Sequence, residues 1–471
     1  MRYGFTSEPR TLDPLDQGNT ADGRSILFNV FEGLVKPDTT GQFLPCIAES
    51  WTIEQGGLVY NFTIREGILF HDDTPLSAAD VKFSLETAMA LKYLGLEMIE
   101  EVKITGENIV TITLKMPDPE FLPYMTVGIT RDGHNNRATN AIGTGPFYIE
   151  SYTPQHNLIL KKFDNYWQLL LPEPKNIPHL DKVTIVFFEN YDAMTMSLRG
   201  GGIDGANVTG TFAAQIENGD FDIFHGYSNA VQLLALNNAA APLNDINIRR
   251  ALNFGIDVQN IIDTAFFGMG TPSRSPLIPG LSIYYDNLSL YLYVPRMARL
   301  LLVQAGYRDD LPLSLEITVP SNYTMHVDTA QVIADQLSRI GVIVTIKLVD
   351  WDTWLSDVYR NRNYQATIIS LDSAVASPKS FLSRYQTEAS GNFINFSNPD
   401  FDITYNSILT ETDEEKRIQL YKDAQRIIAE NAASVFLQDI YYFKAFRGGA
   451  YDGVLNYPLY VVDFSNIYRI K

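Results

Sequence analysis

The 471-residue chain reads as an α/β protein with more than one compact unit, and three observations carry that reading. Its length exceeds what a single hydrophobic core usually serves. Its first half alternates apolar and polar residues at a period of two, the pattern of half-buried strands. Its second half interleaves strand-like runs with helix-period runs, the order of βαβ units and parallel strand pairs.

In chain order, Met1-Arg2-Tyr3-Gly4-Phe5 opens on a strand. Residues 58–64 are rich in strand formers, with Gln55-Gly56-Gly57 before them and Glu66-Gly67 after. Ile68-Leu69-Phe70 reads as a short buried strand, and His71-Asp72-Asp73-Thr74-Pro75 turns the chain. Ser77-Ala78-Ala79-Asp80 is a capping-box-like helix start, followed at helical spacing by Val81, Leu85 and Ala88. Residues 102–105, 109–114 and 158–163 alternate as strands, and 183–188 is a more continuous apolar run. Residues 193–198 predict a helix stopped by Gly200-Gly201-Gly202. That triple glycine lacks the Lys-Ser/Thr of a phosphate loop, so it reads as a helix-ending turn.

Beyond residue 230, residues 233–236 predict a strand. Asn244 or Asp245 caps a helix carrying Ile248, Ala251 and Leu252, and Asp257 caps the next. Pro295 starts a helix that stops at Gly306. Residues 315–319, a helix near 325–340 and residues 342–349 form a βαβ unit. Asp352 is the expected cap of a further helix, 365–370 a strand, and 414–431 a long amphipathic helix with Ile418, Tyr421 and Ile428 inward.

Composition removes several function classes. A net charge of −19 disfavours nucleic-acid and anionic-membrane surfaces. No apolar run approaches the ~20 residues that span a bilayer. The single cysteine, Cys46, excludes an internal disulfide and any CxxC motif, and its apolar neighbours fit a buried thiol. The six histidines are scattered, without an HExxH pair, and there is no GxSxG or GxGxxG. The acidic pairs Asp72-Asp73, Asp309-Asp310 and Glu414-Glu415 fall in turns or at helix starts. No cofactor and no catalytic constellation is expected, so the chain does not read as an enzyme. His71, alone in a turn, reads as structural.

The segment 31–86 carries a family resemblance. Glu32-Gly33-Leu34-Val35, Pro45, Ala48-Glu49-Ser50-Trp51, Phe62, Arg65, Phe70-His71-Asp72 and Ala79-Asp80-Val81 resemble the family-5 substrate-binding proteins of bacterial ABC importers. Thr11-Leu12-Asp13-Pro14, Gly143-Thr144-Gly145-Pro146-Phe147, Asn165-Tyr166-Trp167, Leu236-Asn237, Arg249 and Ala251-Leu252-Asn253 extend the likeness along the chain. The resemblance implies a two-lobed, type II periplasmic-binding-protein-like α/β fold, its mixed sheets flanked by helices and its ligand cleft between the lobes. It places lobe one at 1–230 with an inserted subdomain near 45–145, lobe two at 231–445, and a tail, 446–471, returning to lobe one. It also implies an extracytoplasmic monomer, periplasmic or lipid-anchored on the outer face of the cytoplasmic membrane. An export signal preceding Met1 would have been removed. The implied partners are a peptide, small-molecule or metal-chelate ligand and ABC permease subunits, with cleft closure delivering the solute.

For the ligand, the resemblance offers two branches. In peptide binders an Asp after a Gly-Trp pair takes the peptide amine. Here that position falls on Ala374, Leu371 stands for the Trp, and Asp372 is the nearby acid. In the nickel branch, the coordinating His falls on Ser390 and a pocket aromatic on Ala376. Arg131 lies where a chelator-binding Arg is expected, Arg24 at a pocket Met and Tyr93 near a pocket Trp. The candidate ligand-binding residues are therefore Arg24, Tyr93, Arg131, Asp372 and Ser390, with no direct metal ligand. Two Arg side chains in one site favour a carboxylate-bearing ligand. The other-class alternative is a sensor or chaperone-like protein of the same fold.

Overall fold

The structure is a computed structural model that describes residues 1–470 apart from 17, 94, 174–176, 217–218 and 373–376. The chain forms two compact units, residues 1–226 with 442–471 and residues 227–441. It therefore passes from unit to unit twice, within the strands Phe221–Leu236 and Ser434–Arg447.

In the first unit, Arg2–Phe5 runs parallel to both Lys182–Phe187 and Gly205–Val208. Asn157–Lys162 and Phe147–Thr153 extend this sheet antiparallel. The period-two pattern puts Tyr3, Phe5, Leu158, Leu160, Val183 and Ile185 into one core. A separate four-stranded antiparallel sheet takes the order Ala48–Glu54, Val59–Ile64, Ile109–Leu114, Ile99–Gly106. Tyr60, Phe62, Val110 and Ile112 line its inner face, against Val81, Leu85 and Ala88 of the helix Ala78–Ala90.

The residues 68–70 expected as a strand do not form one: only Leu69 makes an isolated bridge, to Pro75. The tight turn takes the backbone donors instead, Phe70 N–H reaching Thr74 O at 2.8 Å, with Asp73 at φ 60°. Ile68 and Phe70 are nevertheless core residues, which is why they read as strand.

The capping-box expectation holds in a tighter form. Asp80 Oδ2 accepts from Ser77 N–H at 2.8 Å and Ser77 Oγ–H at 2.7 Å, and Oδ1 accepts from Asp132 N–H at 2.8 Å. Asp80 thus ties the helix start to the loop carrying Arg131. Asp80→Ala strands these donors in a largely buried place and is expected to cost ~2–3 kcal/mol, read as a lowered urea midpoint at unchanged slope.

In the second unit, Leu313–Pro320 lies parallel to both Val342–Val349 and Ala366–Asp372, with the helix Thr324–Ser338 as the crossover of the first pair. Ala366–Asp372 pairs antiparallel with residues 230–236. Gly270–Pro272 adds antiparallel to Ser434–Arg447. Asp245 and Asp257 cap the helices Ile246–Gly255 and Val258–Ala265. The cap expected at Asp352 is instead Asp350, whose Oδ1 accepts from Thr353 N–H at 2.9 Å. The helix starts directly after the strand ends at Val349, so the capping position falls two residues earlier.

Candidate functional site

The motif residues of the first unit knit into one buried scaffold. Glu32 is buried and takes hydrogen bonds from Thr144 Oγ1 at 3.0 Å, Tyr166 OH at 2.8 Å and Trp167 Nε1 at 2.8 Å. Burial pushes its pKa up, while Trp167, Lys36, Tyr166 and Thr144 pull the other way. His71 fills the same scaffold: Gly143 N–H donates to Nδ1 at 3.2 Å, and Nε2 lies 3.0 Å from Gly145 O. That pattern assigns the proton to Nε2. Burial holds the His71 pKa down at about 4, so the imidazole is neutral and structural at pH 7. Arg65 stacks its guanidinium over the Trp167 ring at 4.7 Å. Cys46 is buried, and its thiol is pushed well above its ordinary range by burial.

The candidate ligand residues divide between the units. Arg24 is exposed on the short helix Ala21–Leu27 and donates to Asn19 O at 2.6 Å. Its charge acts on Tyr93, which is half-buried and whose hydroxyl pKa burial raises. Arg24 and Tyr93 are therefore within electrostatic reach of each other. Arg131 is ion-paired with Asp72. Burial raises the Asp72 pKa, but hydrogen bonds from Thr74 and the Arg131 charge outweigh it and hold the carboxyl below its ordinary value. Arg131 thus already has a carboxylate on it, and a ligand carboxylate would compete with Asp72.

In the second unit, Asp372 is exposed at the end of its strand, and its carbonyl accepts from Arg384 Nη2 at 2.6 Å. Ser390 is exposed beside Gly391, which sits against the Arg384 side chain. Ala374 and Ala376 lie outside the described residues.

Further polar groups near the unit crossings escaped the sequence reading. Asp439 has no exposed surface, and its Oδ1 accepts from Ser228 N–H at 3.0 Å and Ser228 Oγ–H at 2.9 Å. Its Oδ2 meets no donor. Burial pushes the Asp439 pKa up to about 7 against the pull of Ser228. Gln438 donates to Gln232 Oε1 at 2.8 Å, and the Gln232 amide reaches His326 Nδ1 at 3.0 Å and Thr329 Oγ1 at 3.1 Å. Burial keeps the His326 pKa down at about 4. In the first unit, Lys444 is fully buried, with Nζ donating to Leu455 O at 2.9 Å and Asn456 Oδ1 at 3.3 Å. Burial drives its pKa down to about 7, with Asp463 opposing. The only signal for these groups is Gln438-Asp439 and Lys444 interrupting an otherwise apolar run.

Among the described residues, no group of three or more His, Cys, Asp or Glu is arranged to hold a metal ion, and no helix is long and apolar enough to cross a membrane.

Two α/β units with mixed sheets, joined by two crossing strands, define a periplasmic-binding-protein fold. The chain belongs to the bacterial extracellular solute-binding proteins of family 5, whose middle-region model matches residues 42–393. A probable deoxycholate-binding periplasmic protein (YgiS) of Escherichia coli is 27% identical, over 94% of this chain and 88% of that one. A glutathione-binding protein (GsiB) of Salmonella typhimurium is 26% identical, over 89% of this chain and 84% of that one. The crystal structure of NikA from Brucella suis in complex with Fe(III)-EDTA matches with a TM-score of 0.86 at 20% identity, over 100% of both chains. At that identity the last likeness speaks to the fold alone.

Proposed function

We propose that this chain is the extracytoplasmic binding component of an ABC importer, which captures a short peptide or related small solute and hands it to a membrane permease without catalysing a reaction. The observation that supports this most is the family match over residues 42–393, in a fold whose relatives include proteins named for binding glutathione and dipeptides. The motif scaffold around Glu32 and His71 fits a binder: its ionisable groups are sealed and hydrogen-bonded, held for shape and withheld from chemistry.

A second reading, capture of a metal chelate, draws support from Arg24. It is an exposed guanidinium whose charge reaches the Tyr93 hydroxyl, and a guanidinium suits a planar ligand carboxylate. The protein would then grip the chelator and leave the metal to it.

Thermal unfolding separates the two. A ligand that prefers the native state at a hundred times its Kd adds ~2.7 kcal/mol and raises the melting point by several degrees. Di- to pentapeptides are expected to do so, with Arg24→Ala changing little. If only nickel plus histidine stabilises the protein, and Arg24→Ala abolishes that, the chelate reading replaces the peptide one. No stabilisation by any solute retained through native purification would count against capture altogether.

A further inference from the structure

We infer that Asp439 is the acid that receives a compact cationic group of the captured solute, with Ser228 as the residue that positions it. The inference rests on the solute-capture reading and narrows it to solutes carrying an ammonium or a similar cation.

The geometry is that of a held but unanswered carboxylate. Two donors from one residue, Ser228 N–H and Oγ–H, fix Oδ1. Oδ2 is enclosed and meets no donor. Among the described residues no cation acts on the group: burial and Ser228 account for its ionisation. Its strand neighbour across the ladder is Thr271, whose hydroxyl is turned to Tyr441 OH at 2.6 Å. Nearly all buried polar atoms in folded proteins are partnered, and an unpaired buried charge is costly. Such groups concentrate at functional sites. An ammonium supplies both what Oδ2 lacks, a donor, and what the carboxylate lacks, a counter-charge.

The backbone beside Ser228 is irregular. Asn229, directly after Ser228, sits at φ 56° inside the strand Phe221–Leu236. A left-handed residue in a strand breaks its regular alternation, and such strain gathers where a structure sets a functional group. Ser228 and Asp439 also lie on the two strands by which the chain changes units, within a few residues of each crossing.

Asp372, the acid expected from the family pattern to meet an amine, is less suited. Its own carbonyl is taken by the Arg384 guanidinium, whose charge repels an ammonium there. Arg384 fits an anionic group better, since its Nη1 is enclosed without a partner.

The test measures binding of trialanine, N-acetyltrialanine and sodium deoxycholate to the whole protein and to Asp439→Asn at pH 7.5. Asn keeps the size of Asp, and melting of the solute-free variant checks its fold. Trialanine is expected to bind the native protein, N-acetylation to remove that binding, and Asp439→Asn to weaken it by roughly 30-fold or more. Ser228→Ala is expected to fall between. Because the acid is enclosed, association should also be slow, below about 10⁵ per molar per second. Equal trialanine binding by Asp439→Asn overturns the role of Asp439 and leaves solute capture standing. Binding of deoxycholate but not of trialanine does the same. Absence of binding by all three overturns both.

Discussion

Glu32→Ala is expected to lower stability by roughly 3–6 kcal/mol, seen as a large fall in the urea midpoint of the first unit. The carboxylate is the shared acceptor for Thr144, Tyr166 and Trp167, all within 3.0 Å. Removing it strands three enclosed donors, each costing about 1–3 kcal/mol. The Trp167 ring also carries the Arg65 stack, so the loss spreads to the strand end at residue 65. Glu32→Gln keeps one acceptor oxygen and should recover part of the loss. A midpoint within about 1 kcal/mol of the native protein for Glu32→Ala would show that the scaffold tolerates loss of its central acceptor and refute this account.

The second large effect is a pair of opposed pH dependences. The Asp439 carboxyl, near 7 in the fold, releases its proton near 4 when unfolded. Below pH 4 it is neutral in both states and costs nothing. As pH rises from 4 through 7 the unfolded state ionises freely and the folded state does not, so stability falls, by up to about 4 kcal/mol. Lys444 behaves in the other direction. Its folded pKa near 7 lies below the unfolded 10.5, so below pH 7 the folded state carries a buried charge, and stability is regained as pH climbs from 7 towards 10.5. Asp439→Asn should therefore stabilise progressively more as pH rises from 4 to 7, and by a constant amount above that. The advantage of Lys444→Met should shrink from pH 6 to 10, offset throughout by the lost bonds to Leu455 and Asn456. Comparing each variant with the native protein cancels the contributions of His71 and His326, which titrate across the same acidic window. Parallel stability curves for variant and native protein would mean that the group is not the enclosed, unpaired charge described.

Regular local chemistry was legible in the chain. Ser77 with Asp80, Asp245 and Asp257 were read as caps because a side-chain oxygen before a helix-period run answers free backbone donors whatever the rest of the protein does. The βαβ order of 313–349 was legible because strand and helix periods differ. Reading failed where tertiary packing overrode local pattern. Residues 68–70 look like a strand because Ile68 and Phe70 are buried, but a tight turn takes their backbone. The strand Phe221–Leu236 begins earlier than its apolar end suggests, since Ser228 and Gln232 point their polar groups at buried partners.

The candidate site divides in the same way. Arg24, Tyr93 and Arg131 can be named from motif positions, but the linear chain does not show that the Arg24 charge reaches Tyr93 or that Arg131 is already held by Asp72. Asp439 carries no local signal beyond being an acid within an apolar run.

By itself the sequence determined the class of protein. Its periodicities, caps and turn glycines act over a few residues, and the ordered motifs from Glu32 to Trp167 mark a scaffold shared across a family. Only the tertiary structure decided which charges are paired. Ion pairs and buried hydrogen bonds depend on contacts between residues far apart in the chain, such as Asp72 with Arg131 and Ser228 with Asp439 respectively. Enclosure, which only the fold creates, turns an ordinary Asp439 or Lys444 into a group whose ionisation the protein controls.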